Sequence, residues 1–150
     1  MIVDVNVLLA AFFPDEQQAQ AQDLIRAHVS GQVHLLAPTL LLYEFTNAVV
    51  QAMRRERISD ADGHAILTAF DGLGIGMEAV PWTEIVPLAR RFDRSAYDAA
   101  YLALAQMRGD VLITGDLRMY NAVREHLPWV RRIEDWQVVM RVGTSRSFEP

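Results

Sequence analysis

Four acidic residues stand in surroundings that do not read as ordinary protein surface. Asp4 follows the apolar run Met1-Ile2-Val3 and precedes Val5 and Asn6, and Asp116 follows Val111-Leu112-Ile113-Thr114-Gly115. Each falls where a short strand should end and a helix begin, the edge of an open α/β sheet at which ligands bind. Asp98 is the only charged residue in the stretch YDAAYLALA, residues 97–105. A helix apolar on nearly every side belongs in the interior. A carboxylate carried there costs several kcal/mol unless a donor, a cation or access to a cleft accompanies it. Glu44 lies in TLLLYEFTNAVVQAM, at the edge of the apolar stripe formed by Leu41, Phe45, Ala48, Val49 and Ala52.

Each acid has a plainer reading. Asp4 and Asp116 are placed to cap the helices that follow them. Asp98 lies three residues after Ser95, as in a capping box with aspartate in place of glutamate, where the helix dipole favours it. Glu44 can turn outward into water. Taken together, the four suggest more. Carboxylates are hard oxygen donors, and three or four of them orient Mg²⁺ or Mn²⁺ while leaving room for water and a phosphate. A bound cation polarises a phosphoryl oxygen, lowers the pKa of an attacking water and stabilises the leaving oxygen. It also reverses the repulsion that bare carboxylates exert on an anionic phosphodiester.

Composition narrows the remaining chemistry. The 150 residues suffice for one compact domain, and half of them are apolar. There is no cysteine, hence no disulfide and no thiolate ligand or nucleophile; any metal must be held by oxygen or imidazole. All 14 basic residues are arginine, which removes Schiff-base chemistry and a phosphate-loop lysine. A net charge of -5 argues against binding nucleic acid through a broadly basic surface. No apolar run approaches the roughly 20 residues that span a bilayer. The strand-like start at Met1 leaves no room for a secretory signal, so a cytoplasmic protein is expected.

The elements that must position these acids can be read from periodicity. Strands are expected at Met1–Val3, Val33–Ala37, Ile75–Val80, Val111–Ile113 and Trp129–Ile133, short β-branched runs bounded by polar or turn residues. Helical spacing occupies Asn6–Phe12, Ala19–His28, Leu40–Arg55, Asp60–Leu73, Thr83–Arg91, Tyr97–Met107 and Arg118–His126. Ser59 before Asp62 marks a second helix start, Gly109 a helix end, and Pro14, Pro38, Pro81 and Pro128 fall at element boundaries. Alternating strands and helices predict a single α/β domain, its central and mainly parallel β-sheet flanked by α-helices on both faces. The domain is expected to span 1–140, with 141–150 a C-terminal tail.

At this point the residues resemble a known family. MIVDVNVLLAAF is similar to the opening of PIN domains, PTLLLYEFTNAV to their glutamate-bearing helix, SAYDAAYLALA to their third-acid helix and TGDLRMYNAV to their fourth-acid segment. The blocks come in family order and span nearly the whole chain, and they resemble those of the VapC toxins of toxin–antitoxin pairs. The resemblance implies that Asp4, Glu44, Asp98 and Asp116 are catalytic acids. Asp4, Asp98 and Asp116 would hold Mg²⁺ (or Mn²⁺), and Asn6 and Thr114 would support the site. It further implies a metal-dependent endoribonuclease acting on RNA, a homodimer, and inhibition by a small antitoxin protein. The chain departs from some members in carrying Met119 three positions after the fourth acid, where an acid or amide can stand.

The other chemistry-bearing residues are read more plainly. His28, His34, His64 and His126 have no metal-ligand spacing and are taken as surface or satisfied residues. Arginines 54, 55 and 57, 90, 91 and 94, and 131 and 132 are candidate phosphate contacts, but Arg118, two residues beyond Asp116, should sit at the rim of the acids. Tyr43, Tyr97, Tyr101 and Tyr120 are read as core or cleft wall. Two other functions share parts of this pattern. A haloacid-dehalogenase-like phosphatase would share an aspartate ending the first strand, but it relies on a downstream basic residue that is usually lysine. A catalytically inactive PIN-like module would bind RNA or antitoxin alone, and retention of all four acids argues against it.

Overall fold

A computed structural model describes residues 1–137. The described chain alternates strands and helices: β1 Ile2–Val3, α1 Val5–Phe12, α2 Ala19–Val29, β2 Leu36–Pro38, α3 Leu40–Arg54, α4 Asp60–Gly72 and β3 Gly76–Glu78. It continues with α5 Trp82–Phe92, α6 Ala96–Arg108, β4 Leu112–Thr114, α7 Leu117–Val123, β5 Val130–Arg132 and a 3-10 turn at Ile133–Asp135. Among the described residues the strands form one sheet in the order β3-β2-β1-β4-β5. Every pairing is parallel, with Ile2 opposite both Leu36 and Leu112. The expected α/β class with its parallel sheet is therefore what the chain forms.

Strand order decides where a site can lie. The chain steps from β1 outward through β2 to β3, returns across the sheet to β4, and continues outward to β5. Right-handed crossovers then require α1 to α4 on one face and α5 to α7 on the other. Packing follows that division: α1 lies on α2 and α3, α3 on α4, and α5 on α6. The reversal falls between β1 and β4, so the segments leaving their carboxyl ends diverge to opposite faces and open a crevice. Asp4 and Asp116 leave those two ends.

The core explains the most apolar helix. All seven residues Ala99–Ala105 of α6 are buried, and α6 packs across β1, β2 and β4. Its alanines let the helix approach the sheet closely, while Leu102 and Leu104 fill the space beside it. On the other face Phe45 of α3 stacks on Phe70 of α4 at 4.3 Å and meets Phe12 of α1 edge-on at 5.8 Å. The predicted caps form as expected: Ser59 Oγ accepts from the Asp62 amide and Ser95 Oγ from the Asp98 amide, both at 3.0 Å. Gly109 ends α6 at φ 60°, a left-handed conformation that glycine takes without strain.

Boundaries shift where backbone bonds turn away from the sheet. The second strand starts at Leu36 rather than Val33, because the Val33 amide bonds the Ala27 carbonyl and closes the end of α2 instead. The last helix stops at Val123 rather than His126, since the His126 and Leu127 amides both turn onto the Val123 carbonyl. Tyr43 and Tyr97 are exposed and so lie outside the core, with Tyr43 lining a surface groove beside Leu42 and Thr46, whereas Tyr101 is buried and Tyr120 half-buried. The expected domain end at 140 and the tail at 141–150 lie outside the described residues.

Candidate active site

The strand-borne acids are anchored through the backbone. Asp4 is the N-cap of α1: its Oδ1 accepts from the Val5 amide at 2.8 Å, and its own amide donates to the Ile113 carbonyl of β4 at 3.0 Å. Its Oδ2 accepts from Thr114 Oγ1 at 2.8 Å and from Asn6 Nδ2 at 3.3 Å. The same Thr114 oxygen accepts from the Asp116 amide at 2.9 Å, so one fully buried hydroxyl couples the first and fourth acids. Asn6 completes the link, its Oδ1 accepting from the Gly115 amide at 2.7 Å. A Cβ at position 115 would lie 3.2 Å from that oxygen, a close approach that favours glycine there. Asp116 caps α7, its Oδ1 accepting from Arg118 N at 2.9 Å and Met119 N at 3.1 Å. The capping role and the placement at the crevice thus coexist in both residues.

The helix-borne acids are held differently. Glu44 is half-buried on α3 and accepts from the Tyr101 hydroxyl at 2.7 Å. Asp98 is half-buried in the first turn of α6, and among the described residues its carboxylate accepts no hydrogen bond. None of the six ion pairs among the described residues involves any of the four acids.

Electrostatics show that the four are neighbours. Burial, chiefly, raises the Asp4 carboxyl to about 7, with Glu44 and Asp98 adding to the rise against the bonds from Thr114 and Val5. Burial raises Glu44 as well, and Asp98 adds repulsion. Asp98 is raised by burial and by Asp116, with Arg94 partly offsetting the two. Tyr101 lies within reach of Asp4, Glu44 and Asp98, and burial together with these charges keeps its hydroxyl protonated. The acids expected from sequence are therefore gathered at one sheet edge. Among the described residues no three of them converge tightly enough to form a preformed ligand shell. Their all-oxygen donor set and mutually repelling charge, free of ion pairs among the described residues, nonetheless fit a hard divalent cation.

The flanking expectations divide. Asn6 and Thr114 bond directly to Asp4, and Arg118 is exposed beside Asp116. Arg57 is already engaged: its guanidinium grips Asp15 at 2.7 Å and Glu16 at 2.9 Å and lies over the Phe13 ring. Arg132 pairs with Glu134 at 3.2 Å. The histidines are as read: His28 Nδ1 accepts from the Leu35 amide while Nε2 meets the Leu73 carbonyl, and the other three are exposed. Met119 is fully buried, so the position where some PIN domains carry another polar group belongs here to the core. Tyr101, expected in the core or cleft wall, and Arg94, a candidate phosphate contact, both lie beside the acids, a link to Glu44 and Asp98 that periodicity alone leaves open. The spacing of Tyr101 from Asp98, one helical turn on, was the available signal.

The chain is similar to several known proteins. VapC ribonuclease Mb0985 of Mycobacterium bovis is 31% identical over 133 residues, covering 85% of this chain and 94% of that protein. Ribonuclease VapC9 of Mycobacterium tuberculosis matches equally, and Ribonuclease VapC3 of Pyrobaculum aerophilum is 27% identical over 123 residues, 79% of this chain and 91% of its own. The crystal structure of PAE2754 from Pyrobaculum aerophilum superposes with a TM-score of 0.69 at 23% identity, over 89% of this chain and 90% of that one, a likeness of fold. The family model described as PIN domain matches residues 1–125. The chain belongs to the PIN domain family.

Proposed function

We propose that this protein is a divalent-metal-dependent endoribonuclease, the toxin of a toxin–antitoxin pair, working in the cytoplasm at the crevice between β1 and β4. The observation that carries the reading is the gathering there of Asp4, Glu44, Asp98 and Asp116, each of the first three pushed toward its protonated form by burial and its neighbours. Relatives 31% identical over most of their length are named ribonucleases, which supports the same reading.

Asp4, Asp98 and Asp116 would hold Mg²⁺ or Mn²⁺, which when bound supplies charge neutralisation at the phosphate and activation of water. The chain's own residues do the rest. Thr114 and Asn6 hold the Asp4 carboxylate in place and tie it to the Asp116 segment, so the two strand-borne acids stay at fixed separation. Glu44 orients the attacking water and accepts its proton. Arg118, exposed beside Asp116, meets an RNA phosphate. The overall acidity of the chain is then no obstacle, because affinity for the anionic substrate is local to the site.

The partners belong to the same reading. A homodimer is supported by exposed apolar side chains at Leu42 and Tyr43 of α3 and at Trp82 and Val86 of α5. A small antitoxin would insert an arginine or lysine among the acids, competing with metal for the same carboxylates.

The test is cleavage by the purified protein, freed of any bound inhibitor. It should cut single-stranded or loop RNA with Mg²⁺ or Mn²⁺, stop with EDTA, and leave 5′-phosphate and 3′-hydroxyl ends. Cyclic 2′,3′-phosphate ends, or undiminished cutting in EDTA, would overturn the mechanism.

A further inference from the structure

Tyr101 stands in the middle of α6 among alanines and leucines, its side chain 1% exposed. A tyrosine in such a wall ordinarily serves by its ring, and its hydroxyl must still find a partner. Here that partner is Glu44 Oε1 at 2.7 Å, on a helix 57 residues away in sequence. Glu44 itself has little to keep it at the site. It stands at the half-buried edge of α3, on a side chain with three rotatable bonds, and Asp4 and Asp98 repel it. Among the described residues it has no ion-pair partner, and the Tyr101 bond is the one hydrogen bond its carboxylate accepts.

We propose that Tyr101 is a positioning residue, whose buried hydroxyl holds the Glu44 carboxylate at the acid cluster against the repulsion of its neighbours. The inference rests on reading that cluster as a nuclease site. Tyr101 suits the task because its ring is locked by packing, so the hydroxyl can neither follow Glu44 outward nor be replaced by water without a cavity forming. A neutral donor is also the right kind of group. A cation in its place would cancel the negative charge that the metal needs. With Oε1 committed to the phenol, Glu44 offers one oxygen to water, and its direction is set by α6 rather than by α3.

The experiment compares Tyr101→Phe, Glu44→Gln and the double variant in single-turnover RNA cleavage with Mn²⁺. Thermal unfolding and the carboxyl carbon resonance of Glu44 in glutamate-labelled protein are followed alongside. Tyr101→Phe keeps the ring, so its unfolding midpoint should stay close to that of the unsubstituted protein. Its cleavage rate should fall about 10–100-fold, the usual consequence of losing an outer partner of a site residue. KM for RNA should change little. In the Glu44→Gln background the same substitution should cost nothing further, because Tyr101 acts through Glu44. The Glu44 resonance should shift. An unchanged rate in Tyr101→Phe, or an equal loss in the Glu44→Gln background, would overturn the proposal. If the unsubstituted protein cuts no RNA, the nuclease reading fails, and the Glu44 resonance alone then decides. A resonance unmoved by Tyr101→Phe would show that the hydroxyl does not hold Glu44.

Discussion

The two halves of the acid cluster are built on different principles. Asp4 and Asp116 leave the ends of adjacent parallel strands, cap the helices that follow, and are joined through Thr114 and Asn6 by bonds of 2.7 to 3.3 Å. Glu44 and Asp98 project from helices on opposite faces of the sheet, one with a single side-chain partner and the other with none among the described residues. The first half is tied to backbone that the sheet already fixes. The second is placed by helix packing, and its carboxylates keep lone pairs free. Rigidity and availability are thus divided between strand and helix, which is a workable arrangement for a site that must both hold its shape and accept ligands.

Asp98→Asn should expose this contrast most sharply. A carboxylate with free lone pairs matters for chemistry and little for folding, so cleavage should fall by about a thousandfold, on the scale of losing a main electrostatic contributor. Thermal unfolding of the same variant without metal should be unchanged or slightly raised, because repulsion from Asp116 is relieved. A large loss of stability would show that Asp98 is a structural residue.

The pH dependence of stability is the next largest effect. Asp4 titrates near 7 in the folded chain against 3.8 as its ordinary value, so the folded state holds an extra proton between those limits. Stability is then fully present below about pH 4 and is lost as pH rises through 7, by a few kcal/mol in total. Glu44 and Asp98, raised in the same direction, add to the slope. Unfolding followed from pH 5 to 8 in EDTA should show this fall, and saturating Mn²⁺ should flatten or reverse it. A curve that rises with pH in EDTA would contradict the electrostatic account of the cluster.

Thr114→Val tests the strand-borne half. The substitution preserves shape but leaves Asp4 Oδ2 and the Asp116 amide each short of a buried partner, at a cost of about 1–3 kcal/mol. Chemical denaturation at neutral pH measures it, and a neutral result would show that Asn6 or water takes over. The smallest effect belongs to the helix-borne half. Ser95→Ala removes the cap of α6 and should cost about 1 kcal/mol, with cleavage altered only modestly because Tyr101 and the sheet still hold the helix. A collapse of activity would mean that the first turn of α6 sets Asp98 more closely than its packing suggests.

Much of this was legible in the chain itself. Short apolar runs alternating with helical spacing specify an α/β layer arrangement, because burying a parallel sheet requires helices over both faces. The serine caps at Ser59 and Ser95 and the glycine stop at Gly109 are local chemistry, satisfied within one turn, and they form as read. The isolation of Asp98 within YDAAYLALA announced a buried helix, and all seven residues Ala99–Ala105 are buried. Periodicity placed Glu44 only at the edge of its stripe, where an outward, solvated side chain is the more ordinary outcome, whereas here it is half-buried and bonded to Tyr101. The start of β2 and the end of α7 are not encoded by periodicity, because they depend on which carbonyl a single amide finds.

Sequence by itself therefore determined most of the elements and their caps, since these depend on contacts within a few residues, and it singled out four acids as candidates. Tertiary structure decided that the acids come to one sheet edge, through a strand order that reverses between β1 and β4. It also decided that Glu44 turns inward, toward a hydroxyl 57 residues away. No local pattern encodes such a pair: its geometry exists only once α3 and α6 have packed against the same sheet.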